Sequence, residues 1–459
     1  MSGLSTAAAA MGVVALFAVA GAGAARLSML DDAAAAAAEP AAAAVRLERR
    51  QLRRGFEKGG DGGGGGEEEP PEEDLVRVRL AVALPSRSGG PSVEASPMRW
   101  DDSEGAWMLL MRMGHKGTVI EFVLDSGSGQ LSAKGADCKW TTCGKAGCKT
   151  RACPCGNNPD GTKRTNCSVH HYVPEGRRLA PGQEGAGNST KLKFGTQEDT
   201  VSHYKEHVCL EVASVPCDAL LASPHAHHPT APSANKDEML VHLIHAIDGT
   251  SSSNICGISR PVRGARAVVL SHLLAPPETR NTWSCVLFRA GGWFLLGPLP
   301  LCVPPPQRCS LVWPREFASF STRFYVVRMT ALEVSSSAAG GWTAVPDPPR
   351  YIIVDTGTTC TYAPPSLGGR MRGVGYDAKH SSMRFVCDGG LVLEYSAAAL
   401  RDPDFPKRNV FKCDPGTTLQ DFDGIFSGVP SILLGAVMMR NFGWEFDLVR
   451  EEMGVSVIR

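Results

Sequence analysis

The sequence has few aromatic side chains and no excess of charge of either sign. Aromatic residues occupy 7% of the 459 positions, and 47 Lys and Arg balance 47 Asp and Glu. This neutral balance gives no argument for a nucleic-acid partner or for an anionic membrane surface. The chain also lacks a glycine-rich phosphate loop, a Gly-x-Ser-x-Gly nucleophile motif and a hydrolytic zinc motif. We therefore expect neither a cofactor nor a catalytic metal.

Long apolar runs are absent beyond the first residues. Residues 7–25 form one apolar run, and its last residues fit the small-residue pattern of signal-peptide cleavage. Residues 1–25 are thus predicted to be a signal peptide, which implies a secreted protein or one of the secretory-pathway or vacuolar lumen. An uncleaved signal anchor and a low-complexity alanine tract are the alternatives. Membrane attachment is expected only for the anchor.

Residues 26–97 have the composition of a propeptide or linker. An alanine-rich stretch, a basic stretch and a stretch of glycine and acidic residues follow one another. Such composition buries too little apolar surface to offset chain entropy. The pairs Arg49-Arg50 and Arg53-Arg54 have three open interpretations: a basic prosegment over an acidic cleft, protease processing sites, or solvated charge.

Two short segments repeat one pattern around an aspartate. Each has three apolar residues, then Asp, a hydroxyl residue, Gly and a second hydroxyl residue. The first copy is centred on Asp125 and the second on Asp355. A single Asp-Ser-Gly or Asp-Thr-Gly is most often an ordinary turn. Two copies in matching contexts, 230 positions apart, indicate instead two related halves of domain size.

The repeated turns predict an acid–base pair. Two close carboxyl groups share a proton, because ionising both is costly. The ionised group takes a proton from water and the protonated group donates one to a peptide carbonyl. Glycine permits the tight turn, and hydroxyl groups orient the carboxylate. The predicted catalytic residues are Asp125 and Asp355, and the predicted supporting residues are Ser126, Gly127, Ser128, Thr356, Gly357 and Thr358.

The pattern from Trp107 onward predicts an all-β protein of two similar lobes. Residues 108–113 and 118–124 flank a Gly-His-Lys-Gly turn, which is typical of a β-hairpin that feeds into Asp125. Residues 324–329, 342–345 and 351–355 repeat this arrangement before Asp355. The predicted lobes are residues 98–300 and 301–459, with a proline-rich connection near residues 298–306. Residues 218–250, with several prolines and His225, His227 and His228, are predicted to be a loop insertion.

The chain resembles the pepsin-like aspartic proteases, and within them the cysteine-rich, nepenthesin-like and plant-type branch. The resemblance rests on the two aspartate motifs and on further blocks that occur in family order. These blocks are residues 254–258, 284–287, 291–297, 353–362, 432–435 and 439–447. The resemblance implies a bilobal β fold with a cleft between the lobes, and a monomer that cleaves peptides or proteins.

The chain departs from the family pattern at three places. The tryptophan expected after the first aspartate is missing from the segment Gln130 to Ala133, and Ala436 stands where the last block has an acidic residue. The flap tyrosine is also displaced by one position, which leaves Tyr172 as the flap candidate. These departures favour a second reading, a catalytically weak or inactive pepsin-like binding or inhibitor protein. Because both aspartates are present, the leading prediction is an aspartic endopeptidase made as a zymogen.

The 15 cysteines predict a disulfide framework behind a signal peptide. Six of them cluster between residues 138 and 167, at Cys138, Cys143, Cys148, Cys153, Cys155 and Cys167. Zinc is the rival interpretation because His170 and His171 follow, but the spacing lacks paired Cys-x-x-Cys ligands. The family resemblance implies a further bridge at Cys387 and Cys413. Asn188 begins a glycosylation sequon.

Overall fold

A computed structural model describes residues 92–458 with internal gaps. The gaps are residues 102–103, 145–146, 155–170, 181–182, 184–190, 195–196, 222–229, 234–237, 249–252, 261–268, 275–280, 318–322, 336–340, 378–379, 397–418, 422–428 and 430. All described residues belong to one compact unit, Ser86–Arg459. The predicted signal peptide and Asn188 lie outside the described residues, as do the arginine pairs.

Strands dominate the described chain, which confirms the all-β prediction. In the first half they are β1 (Ser92–Asp101), β2 (Ala106–Met113), β3 (Thr118–Asp125), β4 (Leu131–Gly144), β5 (Gly147–Ala152), β6 (His171–Tyr172), β7 (Arg177–Leu179), β8 (Lys191–Phe194), β9 (Gln197–Pro216), β10 (Ala231–Pro232), β11 (Glu238–Asp248), β12 (Ile255–Gly257), β13 (Thr282–Leu287) and β14 (Gly291–Leu296).

The second half continues the series with short strands. They are β15 (Gln307–Val312), β16 (Tyr325–Ser335), β17 (Thr343–Ala344), β18 (Tyr351–Val354), β19 (Thr361–Ala363), β20 (Ser382–Cys387), β21 (Val392–Tyr395), β22 (Leu419–Asp421), β23 (Ser431–Leu434), β24 (Phe442–Asp447) and β25 (Glu452–Val457). The described α-helices are α1 (Cys217–Leu220), α2 (Val269–Leu273) and α3 (Pro365–Gly373). None of the helices in the described part of the chain is long and apolar enough to cross a bilayer.

The predicted hairpin before Asp125 is present. β2 and β3 pair antiparallel, with Met113 opposite Thr118. Gly114 and Gly117 in the turn have φ angles of 73° and 64°, a region that favours glycine. Most of β3 is buried, so the hairpin carries Asp125 from the core to the end of a fixed strand.

The two halves repeat one strand arrangement. In the first half β2 pairs antiparallel with β3, β3 parallel with β12, and β12 antiparallel with β4. In the second half β16, β18, β23 and β19 pair in the same order and with the same directions. Each aspartate therefore lies at the end of a strand held between an antiparallel and a parallel neighbour.

A ladder of strands joins the halves. β13 pairs with β14 of the first half and with β24, β24 pairs with β25, β25 with β15, and β15 with β16. Large buried aromatic side chains pack around this ladder, among them Trp283, Trp293, Trp444 and Phe446. The result is a bilobal β fold in which both halves share a continuous hydrogen-bonded framework.

Two expectations about irregular segments are corrected. β1 begins at Ser92, inside the segment that was predicted to be leader, because Ser92 and the next residues pair with the end of β9. The predicted loop insertion at residues 218–250 contains β11. Its centre is buried and pairs with both β4 and β9, so this apolar stretch is a central strand of the first half.

Disulfides are present within the cysteine cluster and outside it. Cys138 bonds to Cys153, and Cys217 bonds to Cys302. Cys148 and Cys360 are also in disulfides. The predicted bridge at Cys387 is wrong: its thiol is buried in the core at the end of β20 and forms no disulfide. Cys155, Cys167 and Cys413 lie outside the described residues, as does the side chain of Cys143.

The two bridges should differ in their contribution to stability. Cys217–Cys302 spans 85 residues and Cys138–Cys153 spans 15. Loop-closure entropy scales as 1.5RT ln n, so Cys217→Ala/Cys302→Ala should destabilise the protein by about 1.5 kcal/mol more than Cys138→Ala/Cys153→Ala. Urea denaturation of the two double variants measures this difference. Equal losses, or a larger loss for the short loop, would contradict the expectation.

Candidate active site

The fold places the two aspartates at equivalent positions. Asp125 is the last residue of β3 and lies opposite Gly257 of β12. Asp355 follows β18, and its N–H donates to the carbonyl of Leu434 at the end of β23 at 3.0 Å. Because parallel neighbours hold both strand ends, the two turns have little freedom to move independently.

Each carboxylate accepts hydrogen bonds from its own pair of donors, and the two pairs are equivalent. The Ser128 hydroxyl donates to Asp125 Oδ2 at 2.5 Å, and the Gly127 N–H donates to Oδ1 at 2.8 Å. On the other side the Thr358 hydroxyl donates to Asp355 Oδ2 at 2.6 Å, and the Gly357 N–H donates to Oδ1 at 2.9 Å. These four bonds fix the orientation of both carboxylates.

The residues after the aspartates lock the two turns together. The Ser126 N–H donates to the Thr356 hydroxyl at 2.9 Å, and the Thr356 N–H donates to the Ser126 hydroxyl at 2.9 Å. The Ser126 hydroxyl also donates to the Val354 carbonyl at 3.1 Å, and that of Thr356 to the Leu124 carbonyl at 2.7 Å. Each hydrogen bond that Ser126 donates to the second turn thus has an equivalent bond that Thr356 donates to the first turn.

The glycines of the turns permit the close approach of the carboxyl groups. A Cβ on Gly127 would lie 2.8 Å from Asp355 Oδ1, and a Cβ on Gly357 would lie 2.6 Å from Asp125 Cγ. Neither distance accommodates a side chain. Each glycine therefore makes room for the opposite aspartate.

The environment favours a shared proton. Burial, then the charge of Asp355 and a hydrogen bond between the two carboxyl groups, together raise the pKa of Asp125 to about 8 against the opposing donors Ser128 and Gly127. Asp125 is 9% exposed. One carboxyl group of the pair thus keeps its proton well above the ordinary range, and the protons belong to the pair.

Aromatic residues of both halves support the first turn, which the sequence analysis did not anticipate. The Trp283 Nε1–H donates to the Tyr325 hydroxyl at 2.7 Å, and that hydroxyl donates to the Ile258 carbonyl at 2.7 Å. The Ile258 N–H in turn donates to the Asp125 carbonyl at 2.7 Å. No sequence signal distinguishes this relay from ordinary aromatic core.

Tyr172 lies away from the two aspartates. Its side chain is 1% exposed within the core of the first half. A Cβ on Gly114 would lie 2.6 Å from the Tyr172 hydroxyl, so this hydroxyl is packed against the β2–β3 turn. A residue with this packing does not fit the predicted role of a flap that closes over a cleft.

A metal site is not evident in the described part of the chain. No group of three or more His, Cys, Asp or Glu residues there is arranged to hold a metal ion. In the cysteine cluster, Cys138 and Cys153 are consumed by their disulfide, as is Cys148 by another. His170 lies outside the described residues.

Comparison with known proteins agrees with the fold. The chain is similar to the crystal structure of an aspartic proteinase from Irpex lacteus, with a TM-score of 0.53 and 13% sequence identity. The similarity covers 80% of this chain and 97% of the other. No protein-family model and no curated protein sequence matches the chain. The described structure thus has a pepsin-like aspartic proteinase fold.

The crosswise bonds should be measurable as stability. Thr356→Val keeps the side-chain shape but leaves the buried Ser126 N–H without its acceptor, which should cost about 1–3 kcal/mol. Thr330→Val removes an exposed hydroxyl that donates to the Val386 carbonyl, and should cost less than about 0.5 kcal/mol. Chemical denaturation measures the loss of unfolding free energy in each variant. Equal costs would show that the crosswise bonds contribute no special stability.

Tyr172 should act through packing. Tyr172→Ala should lower the unfolding free energy by about 3 kcal/mol or more, because it empties a large buried site. Tyr172→Phe should retain the peptide turnover of the parent protein, since the hydroxyl lies at the β2–β3 turn. A tenfold loss of turnover in a well-folded Tyr172→Phe variant would restore the flap assignment.

Proposed function

We propose that this protein is an aspartic endopeptidase, in which Asp125 and Asp355 activate water for peptide-bond hydrolysis. The observation that carries the proposal is the symmetric carboxyl pair, with matched donors on each carboxylate and a raised pKa of Asp125. Perturbed carboxyl pairs of this kind mark functional sites more often than structural ones.

The geometry supports a mechanism without a covalent intermediate. In the singly protonated pair, the ionised carboxylate takes a proton from water as the water oxygen attacks the peptide carbonyl carbon. The protonated carboxyl group donates its proton to the carbonyl oxygen, which gives a tetrahedral gem-diol. A proton then passes from the gem-diol to the leaving nitrogen through the same pair, the C–N bond breaks, and the pair returns to one proton. Ser128, Thr358 and the two glycine N–H groups hold the carboxylates in position throughout.

The proposed setting is an oxidising compartment. The disulfides Cys138–Cys153 and Cys217–Cys302 support a secreted protein or one of the secretory-pathway or vacuolar lumen. The apolar residues 7–25 act in this proposal as the signal peptide, and residues 26–91 as the prosegment of a zymogen. The substrates are peptides or proteins.

A catalytically weak or inactive binding relative is the second candidate. The burial of Tyr172 favours it, because the residue proposed to cover the substrate is packed in the core. The absence of the expected tryptophan from the segment Gln130 to Ala133 points the same way. Both candidates keep the fold, so peptide turnover separates them.

Replacement of either aspartate should abolish turnover. Asp125→Asn and Asp355→Asn each remove one half of the acid–base pair, and we expect at least a thousandfold loss of peptide cleavage. The measurement is cleavage of a peptide library by purified protein. Ser96→Ala, a buried serine of β1 outside the site, is the matched control and should cleave like the parent. Equal cleavage by the parent and both Asn variants would refute the assignment.

The pH profile should fall on the alkaline side. Because the pKa of Asp125 is raised to about 8, the singly protonated pair persists to near-neutral pH and is lost as pH rises through that value. Cleavage should therefore decline above about pH 8, and pepstatin-type inhibitors, which the family resemblance implies, should bind most tightly below it. A profile that rises steadily from neutral into alkaline pH would exclude this mechanism.

A further inference from the structure

Two buried histidines face each other in the sheet that leads to Asp125. His203 on β9 and His242 on β11 are in register, and their Nδ1 atoms lie 2.9 Å apart. The residues are 2% and 6% exposed. A hydrogen bond between two Nδ1 atoms needs one N–H and one lone pair, so at least one ring must be neutral. Two charged rings would bring two N–H groups together without an acceptor.

The charged or titratable side chains nearest the two histidines on this face of the sheet are basic. Residues opposite each other on paired strands share a face of the sheet. Leu179 of β7 and Ser132 of β4 lie opposite the pair, and Ile255 of β12 lies opposite Ser132. One step further on the same face, the charged or titratable residues are Lys205 of β9, Arg177 of β7, Lys134 of β4 and His171 of β6. These four described neighbours on the same face are all bases.

Burial lowers the pKa values of two of these bases. Burial and the neighbouring His203 lower the pKa of His242 to about 3, and burial lowers the pKa of Lys134 to about 8 against the charge of Glu104. The Lys134 ammonium donates to the Pro154 carbonyl at 2.9 Å. The first half of the protein therefore contains two buried bases, His242 and Lys134, whose pKa values burial lowers.

We propose that the His203–His242 pair is an acid-sensitive element that lowers the stability of the folded protein as pH falls below neutral. Protonation of both rings would break the Nδ1–Nδ1 bond and leave two like charges side by side in the sheet β9–β11–β4. β4 pairs with β12, and β12 pairs with the end of β3 at Asp125, so the disturbance lies in the sheet that positions the first aspartate. The consequence for catalysis rests on the proposed protease function, whereas the consequence for folding does not.

The direction of the linkage follows from the lowered pKa of His242. The unfolded chain takes up a proton as pH falls through about 6.5, and the folded protein does not, so stability falls with acidification. The full stability is present above that unfolded-state value. Between about pH 7 and pH 5, this one ring should raise the unfolding equilibrium constant about 25-fold.

The test compares the pH dependence of unfolding in variants of the full chain. His242→Asn keeps a nitrogen or oxygen near the Nδ1 position but does not titrate. Urea denaturation gives the factor by which the unfolding constant rises between about pH 7 and pH 5. We expect this factor to be about 25-fold smaller in His242→Asn than in the parent. His380→Asn is the matched control, since His380 is exposed and paired with Asp377, and its rise should stay within about threefold of the parent. Identical pH dependence in His242→Asn and the parent would overturn the proposal.

A second measurement uses the parent protein alone and so does not depend on whether a variant folds. In the parent, NMR of histidine Cε1 groups should show that the His242 ring remains neutral at about pH 5. A His242 ring that titrates near pH 6.5 would refute the proposal without any variant.

Activity gives a separate outcome. Cleavage by the parent should decline as pH falls below about 5, and His242→Asn should retain more of its cleavage there. If the protein cleaves no peptide at any pH, the protease function fails and the folding measurements still decide the role of the pair. An equal decline of cleavage with acidification in the parent and in His242→Asn would contradict the proposed role of the pair.

Discussion

The crosswise hydrogen bonds between Ser126 and Thr356 are the constraint on which the arrangement of the site depends. Each residue uses its backbone N–H and its hydroxyl toward the opposite turn, at distances of 2.7 to 3.1 Å. These groups are buried, and an unsatisfied one would cost about 1–3 kcal/mol. Neither turn can therefore shift without disrupting the other, and the separation of the carboxyl groups is set by backbone contacts.

The strand framework brings the turns to the same place. The antiparallel–parallel–antiparallel order around β3 and β12 recurs around β18 and β23, so both halves present a strand end with the same surroundings. The ladder from β14 through β13, β24, β25 and β15 to β16 then ties the halves together. Bringing two carboxyl groups together costs free energy, and this extensive framework is what offsets it.

The local features of the site could be predicted from the sequence because they depend on residues that are adjacent in the chain. The pattern of apolar strand, Asp, hydroxyl residue and Gly predicted both turns, and the two glycines of the β2–β3 turn marked a hairpin that is present. β11 was missed because its apolar stretch is flanked by prolines and histidines that resemble a loop. In such cases the tertiary pairing decides the structure.

Long-range pairings account for the remaining differences. Six cysteines allow 15 connectivities, so the Cys138–Cys153 bond could not be selected by spacing, and the buried thiol of Cys387 depends on packing in the second half. The same limit applies to the bond from Tyr325 to the Ile258 carbonyl, which joins residues 67 positions apart. His203 and His242 meet only because β9 and β11 are in register.

The proton shared by the two aspartates tests the account most directly. Isotope-edited infrared spectroscopy with labelled aspartate can detect the C=O stretch of a protonated carboxyl group. At about pH 7 the parent should show one such signal, and the signal should be weaker in Asp355→Asn, because Asp125 there loses the charged partner that helps to raise its pKa. If the parent shows no protonated aspartate above about pH 5, the carboxyl groups ionise independently and the shared-proton account is contradicted.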